Sequence, residues 1–130
     1  MEQKKIVILG AGESGAGAAV LAKMKGYDVF VSDSGTIKDK YKIIFTDNKI
    51  EFEEKKHSTE KILQANEVIK SPGIADAAPI MKKVHEKQIP VCGEIEFASR
   101  YTKSKMIGIT GTNGKTTTTL LTHYILSKAG

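Results

Sequence analysis

A single cysteine, Cys92, stands among 130 residues. No internal disulfide can form, which agrees with a reducing compartment. No apolar run approaches the roughly 20 residues that a membrane-spanning helix requires. Only four strongly apolar residues, Ile6 to Leu9, precede Gly10. That is too few for a signal-peptide core of roughly 7–15 residues. A cytoplasmic protein with no membrane partner is therefore expected. Aromatic residues are only 6% of the chain and show no pattern for stacking bases. Internal repeats and low-complexity tracts are also lacking. What is present is 40% hydrophobic and 27% charged, the balance of a globular chain. The net charge is +5 and the pI near 9.2. The lysines are spread along the chain, so the charge is read as solvated lysines plus a phosphate-bearing ligand rather than a nucleic-acid surface.

Strand and helix signals alternate, which predicts an α/β architecture with a Rossmann-like parallel sheet. Lys4 to Leu9 reads as a strand buried on both faces, Ser14 to Lys25 as a helix closed by Gly26, and Asp28 to Ser32 as a second strand. Tyr41 to Phe45 is predicted as a third strand, and Thr46 to Lys56 is ambiguous. A helix start at Ser58, a strand over Glu67 to Lys70, a helix over Ala77 to Lys87, a strand over Ile89 to Cys92 and a helix over Glu94 to Tyr101 follow. Thr102 to Ser104 reads as a domain joint. A new strand is predicted at Lys105 to Ile109 and a helix at Thr116 to Ala129. This gives a substrate-binding domain over 1–103 and, over 104–130, the first strand–loop–helix unit of a truncated second domain. One strand and one helix cannot complete a sheet, so the chain reads as a piece of a longer protein.

Two loops carry chemistry. Gly10-Ala11-Gly12-Glu13-Ser14-Gly15 fits G-x-G-x-x-G between a strand and a helix. Gly10 permits the tight turn, Gly12 lets a phosphate approach the backbone, and Gly15 lets helix and strand pack closely. Asp33, at the tip of the next strand, is placed to meet a sugar hydroxyl or a base N–H. Glu13 is expected to point outward, because a carboxylate repels a phosphate. These residues alone predict a bound nucleotide and leave its identity open, with NAD one reading. A tight turn without ligand is the bland alternative.

The second loop is Gly111-Thr112-Asn113-Gly114-Lys115-Thr116. It carries the G-K-T core of a triphosphate loop. Backbone amides would wrap the phosphates, the Lys115 ammonium would reach the β- and γ-phosphates, and the Thr116 hydroxyl would ligate Mg²⁺, with Thr117 beside them. The position where the general motif has its first glycine is Ile109.

Met106 to Thr117, M-I-G-I-T-G-T-N-G-K-T-T, resembles the ATP loop of the Mur ligase family, which departs from the general motif in the same way. Gly10 to Gly15, Ser71-Pro72-Gly73-Ile74 and Gly93-Glu94-Ile95-Glu96-Phe97 strengthen the resemblance, which covers the whole chain. The resemblance implies a peptidoglycan-precursor ligase whose first domain holds the UDP part of its substrate and whose central domain holds ATP. It favours the member that joins D-glutamate to UDP-N-acetylmuramoyl-L-alanine through an acyl phosphate. Gly12, Ser14 and Gly15 would then meet the diphosphate and Asp33 and Ser34 the uracil or ribose. Ser71, Pro72 and Gly73 would line the same cleft. Gly111, Thr112, Asn113, Gly114 and Thr117 would hold ATP, with Lys115 and Thr116 as catalytic groups and Thr116 on Mg²⁺. Relatives often have arginine where this chain has Gly35, which leaves contacts to the uracil edge open. A monomer, inactive in ligation on its own, is expected.

Other residues are set aside. Cys92 reads as a small buried strand residue. His57, His85 and His123 lack metal-ligand spacing, His85 reading as solvated and His123 as packed or capping. Glu94 reads as a first-turn helix residue, favoured by the helix dipole. Two other functional classes stay in play: a nicotinamide-dependent dehydrogenase, against which the second phosphate loop argues, and a nucleotide-binding module without chemistry.

Overall fold

The computed structural model describes residues 2–130. Five parallel strands form one sheet in the order β3-β2-β1-β4-β5. In chain order the elements are β1 (Lys5–Leu9), α1 (Glu13–Met24), β2 (Asp28–Ser32), α2 (Asp39–Asp47), β3 (Glu51–Glu53), α3 (Thr59–Ile62), β4 (Glu67–Lys70), α4 (Pro79–Glu86), β5 (Val91–Gly93), α5 (Glu94–Ser99) and α6 (Lys115–Ala129). The chain builds outward from β1 through β2 to β3, then crosses to the other side of β1 for β4 and β5. The strand order therefore reverses between β1 and β4, and a crevice opens beyond their carboxyl ends.

The sheet is buried on both faces because its central strands carry consecutive apolar residues, Ile6–Leu9, Val29–Val31 and Val68–Ile69, rather than alternate ones. Ile6, Ile8, Val29, Val31 and Ile69 face one way and pack with Ala16, Ala19 and Ala22 of α1, Phe45 of α2 and Phe97 of α5. Val7, Leu9, Phe30 and Val68 face the other way and pack with Ile62 of α3 and Ile80, Met81 and Val84 of α4. The alanine stripe of α1 lets that helix lie close to the sheet. The register pairs Val7 with Phe30 on one side and with Val68 on the other, which centres β1 in the core.

Two expectations fail. The predicted third strand at Tyr41 to Phe45 is part of α2, where Tyr41 and Phe45 are buried one turn apart and Ile44 is half-buried beside them. Five residues are too few to separate a helical stripe from a strand. The third strand lies further on, at Glu51–Glu53 within the ambiguous stretch. The predicted strand at Lys105 to Ile109 is also absent: these residues join no sheet. A strand exists through its hydrogen-bonded neighbour, and none of the five strands borders this segment. The helix after the second loop does form, as α6, but none of its residues is buried.

Candidate functional site

The first glycine loop sits at the carboxyl end of β1 and opens α1. Gly10 has φ +100°, and a Cβ there would lie 2.8 Å from the Cβ of Ser71 at the end of β4. The loop and the Ser71-Pro72-Gly73 turn therefore touch across the reversal point. Gly15 is buried, and a Cβ on it would lie 2.0 Å from the Gly10 carbonyl oxygen. Gly12 differs from both. Its φ is −74°, and nothing lies within 4 Å of a Cβ built on it. The fold places no demand for glycine at Gly12, so the bare backbone there faces open space at the start of a 12-residue helix. Glu13 is exposed, pointing outward as expected.

Asp33 braces this loop. Its Oδ2 accepts a hydrogen bond from the Ala11 backbone N–H at 2.7 Å, and its Oδ1 accepts one from the Gly35 N–H at 2.7 Å. The residue expected to meet ligand thus also fixes the protein's own turns. A carboxylate offers about four lone-pair directions, so two remain for a ligand. Ser14 Oγ donates to Glu94 Oε2 at 2.9 Å. Glu94 opens α5, as expected, and is only 6% exposed.

Beside the loop, a cleft of about 450 Å³ lies between the ends of β2 and β4. Ser34 and Gly73, both expected site residues, line it. His57, Thr59, Ile74 and Lys83 complete much of its wall. Motif reading missed His57, Thr59 and Lys83, which belong to no glycine pattern. His57 lies just past the stretch without periodicity, and Lys83 is one of many helix lysines.

A buried polar network stands under this cleft. Ser32 is fully buried, with its Oγ 2.7 Å from Glu53 Oε1 and 2.7 Å from His57 Nδ1. Glu53 also accepts from the Ser58 N–H and hydroxyl. Burial pushes the Glu53 carboxyl up, but the hydrogen bonds from Ser32 and Ser58 and the charge of Lys56 outweigh it and hold it below the usual range.

At the amino ends of the strands, away from the cleft, Arg100 grips Glu67 with both terminal nitrogens, at 2.7 and 3.0 Å. This hydrogen-bonded guanidinium lowers the Glu67 carboxyl. Cys92, buried as expected, is pushed up to about 12, first by desolvation and then by Glu67. A thiol held neutral this way is no nucleophile.

The second loop lies apart from these residues. Gly111 and Gly114 have φ of +152° and +78°, and Gly114 caps α6 in the left-handed region. Residues 111–117 are all exposed, and none lines the cleft beside Ser34. Thr118 and Thr119 are ordinary helix residues, Thr119 Oγ1 bonding back to the Lys115 carbonyl at 2.7 Å. His85 is exposed on α4, as expected, whereas His123, expected to pack or cap, is exposed on α6. Among the described residues no helix is long and apolar enough to cross a membrane.

A doubly wound parallel sheet with a glycine loop at its reversal point defines an α/β domain of the nucleotide-binding type. Residues 5–80 match the family model described as the MurD N-terminal domain, and the chain belongs to that family. It is 60% identical over 126 residues to the UDP-N-acetylmuramoylalanine--D-glutamate ligase of Bacteroides thetaiotaomicron, covering 97% of this chain and 28% of that protein. It is 59% identical over 127 residues to the ligase of the same name from Bacteroides fragilis, covering 98% of this chain and 29% of that protein. The chain thus spans less than a third of the length of these relatives. Among solved structures, a murein peptide ligase mpl from Psychrobacter arcticus shares the fold, with a TM-score of 0.72 at 24% identity over 98% of this chain and 27% of that one.

Proposed function

We propose that residues 1–103 form the UDP-substrate domain of an ATP-dependent ligase that adds D-glutamate to UDP-N-acetylmuramoyl-L-alanine, a cytoplasmic step of peptidoglycan-precursor synthesis. Residues 104–130 begin the central ATP-binding domain. The observation that carries the reading is Gly12. A glycine that the fold does not need leaves room for a phosphate at the N-terminus of α1, beside a cleft lined by Ser34 and Gly73. The names of the relatives supply the substrate class.

In this reading Gly12, Ser14 and Gly15 hold the diphosphate. Asp33 and Ser34 hold the uridine end, and Ser71, Pro72 and Gly73 close the other wall. For Ser14 to donate to a phosphate oxygen, its single proton must leave Glu94. Two features support reading the second loop as an ATP loop: Gly111 and Gly114 adopt φ values that other residues avoid, and Lys115 is the first residue of α6. Lys115 would hold the terminal phosphates, Thr116 would ligate Mg²⁺, and Gly111, Thr112, Asn113 and Thr117 would line the loop. ATP supplies the phosphoryl group that activates the substrate carboxylate.

Titration calorimetry with UDP, a UDP-sugar, NAD and ATP tests the reading. UDP and the UDP-sugar are expected to bind this chain as a monomer. NAD binding without UDP binding would favour a dehydrogenase and overturn the proposal. No phosphate release dependent on D-glutamate is expected from residues 1–130 alone.

A further inference from the structure

His57 has an unassigned place in the cleft, and the buried network beneath it fixes which of its ring nitrogens carries the proton. Ser32 Oγ has one proton and two close neighbours, Glu53 Oε1 and His57 Nδ1, each at 2.7 Å. The Glu53 carboxyl is held below the usual range, so at neutral pH it is ionised and can only accept. Two oxygens 2.7 Å apart need a proton between them, and only Ser32 can supply it. The Ser32 oxygen therefore turns a lone pair to His57, and the Lys56 carbonyl at 3.4 Å is left as a contact. His57 Nδ1 must then be the donor, since two facing lone pairs at 2.7 Å would repel. In a neutral imidazole, a proton on Nδ1 leaves Nε2 as a bare acceptor. Nε2 lies on the ring edge away from Ser32 and bonds to no described residue. Among the described residues no buried side-chain nitrogen lacks a partner, so Nε2 is accessible, and His57 lines the cleft with Ser34, Gly73 and Lys83.

We propose that His57, its tautomer set by Ser32 and Glu53, is a specificity-determining residue of the cleft and accepts a hydrogen bond through Nε2 from a donor of the uridine moiety, either the uracil imide N–H or the ribose 2′-hydroxyl. The inference rests on the UDP-substrate reading above and adds to it which protein atom recognises which kind of ligand atom. A cytosine ring has no imide N–H at that position. An imide contact would therefore make His57 a discriminator between uracil and cytosine nucleotides.

The test is a double-mutant cycle on this chain with free UDP as the probe. Wild type, His57→Leu and His57→Gln are titrated by calorimetry with UDP, 3-methyl-UDP and 2′-deoxy-UDP. His57→Leu is expected to weaken UDP roughly 5–10-fold, the usual net worth of one hydrogen bond. His57→Gln, whose side-chain oxygen reaches near the Nε2 position, recovers part of the loss. One of the two analogues, weakened against wild type, binds His57→Leu no worse than UDP does. That analogue identifies the donor. In parallel, ¹⁵N NMR of the imidazole reads the tautomer directly, without ligand and independently of folding in any variant. A predominant Nδ1–H form is expected, and Ser32→Ala should shift the balance toward Nε2–H. An Nε2–H form in wild type, or additive losses for both analogues while UDP still binds wild type, overturns the inference and leaves the UDP reading standing. Failure of UDP to bind wild type removes both.

Discussion

A Cβ on Gly15 would stand 2.0 Å from the carbonyl oxygen of Gly10, well inside any contact distance. The atom in the way is backbone, so relief requires moving the loop or α1. Gly15→Ala is expected to lower stability by about 2–3 kcal/mol, in the range of overpacking a filled site. Chemical denaturation read by circular dichroism measures it. A midpoint equal to wild type would show that the loop moves freely, and the rigid-cradle view would fail.

Gly12→Ala makes the complementary case. Nothing lies within 4 Å of the added Cβ, and φ is −74°. Stability should change by less than about 1 kcal/mol, the scale of an N-cap substitution. The methyl group would occupy the space assigned to a phosphate, so UDP affinity should fall at least about tenfold. Stability and binding thus separate at these two positions. Equal UDP affinity in Gly12→Ala would remove the phosphate from this spot.

How far these features were legible follows from their range in sequence. The glycine loop, β1, α1 and β2 could be read because turn chemistry and apolar runs are local signals. The α2 segment was misread because Ile37, Tyr41 and Phe45 show their helical spacing only when residues before the apolar run are counted. Gly10 meeting Ser71, and Ser14 meeting Glu94, join residues far apart in the chain, and no local pattern announces such contacts. The cleft shows the same limit. Ser34 and Gly73 came from motif resemblance, while His57 and Lys83 became visible only once β3 and α4 were placed beside them.

The Glu67 and Glu53 carboxyls give a pH dependence with a definite sign. Glu67 is held low first by its hydrogen bond from Arg100, and Glu53 is held low by Ser32 and Ser58 against the cost of burial. A carboxyl with a lowered folded value binds its proton less tightly folded than unfolded. The stabilisation is complete above the ordinary value of 4.5 and is lost as pH falls through the lower folded values. Thermal midpoints should therefore hold steady from pH 7 to about 5 and drop below about 4.5. Glu67→Gln, which breaks a half-exposed bidentate pair, should cost about 1 kcal/mol at pH 7 and flatten part of that drop. An acid limb unchanged in Glu67→Gln would mean that the Arg100 grip contributes nothing.

Cys92 reports on folding rather than on chemistry. Burial and the neighbouring Glu67 push its thiol up to about 12, so the thiolate that attacks a disulfide reagent is scarce at pH 8. Native protein should react with a thiol-specific reagent at least about a hundredfold more slowly than unfolded protein, whose cysteine is ordinary. The rate should follow the fraction unfolded across a denaturant titration. Fast labelling of the native state would show that β5 opens readily and that the Arg100–Glu67 clamp does not close that edge.

The segment after Tyr101 should behave differently from the sheet domain. None of the residues of α6 is buried, and Leu120, Leu121, Tyr124, Ile125 and Leu126 are each more than half exposed. Residues 105–109 have no strand neighbour. A 15-residue helix that buries none of its residues is marginal in water. Amides over 105–129 are expected to exchange within about a hundredfold of an unstructured peptide, while those of β1 and β4 approach the protection set by global unfolding. Leu121→Ala and Ile125→Ala should each change stability by less than about 0.5 kcal/mol, whereas Ile69→Ala, removing a fully buried side chain, should cost about 3 kcal/mol. Protection of α6 equal to that of β1 in a dilute monomer would mean that its apolar side chains pack on the sheet domain. The proposed boundary at residue 104 would then have to move.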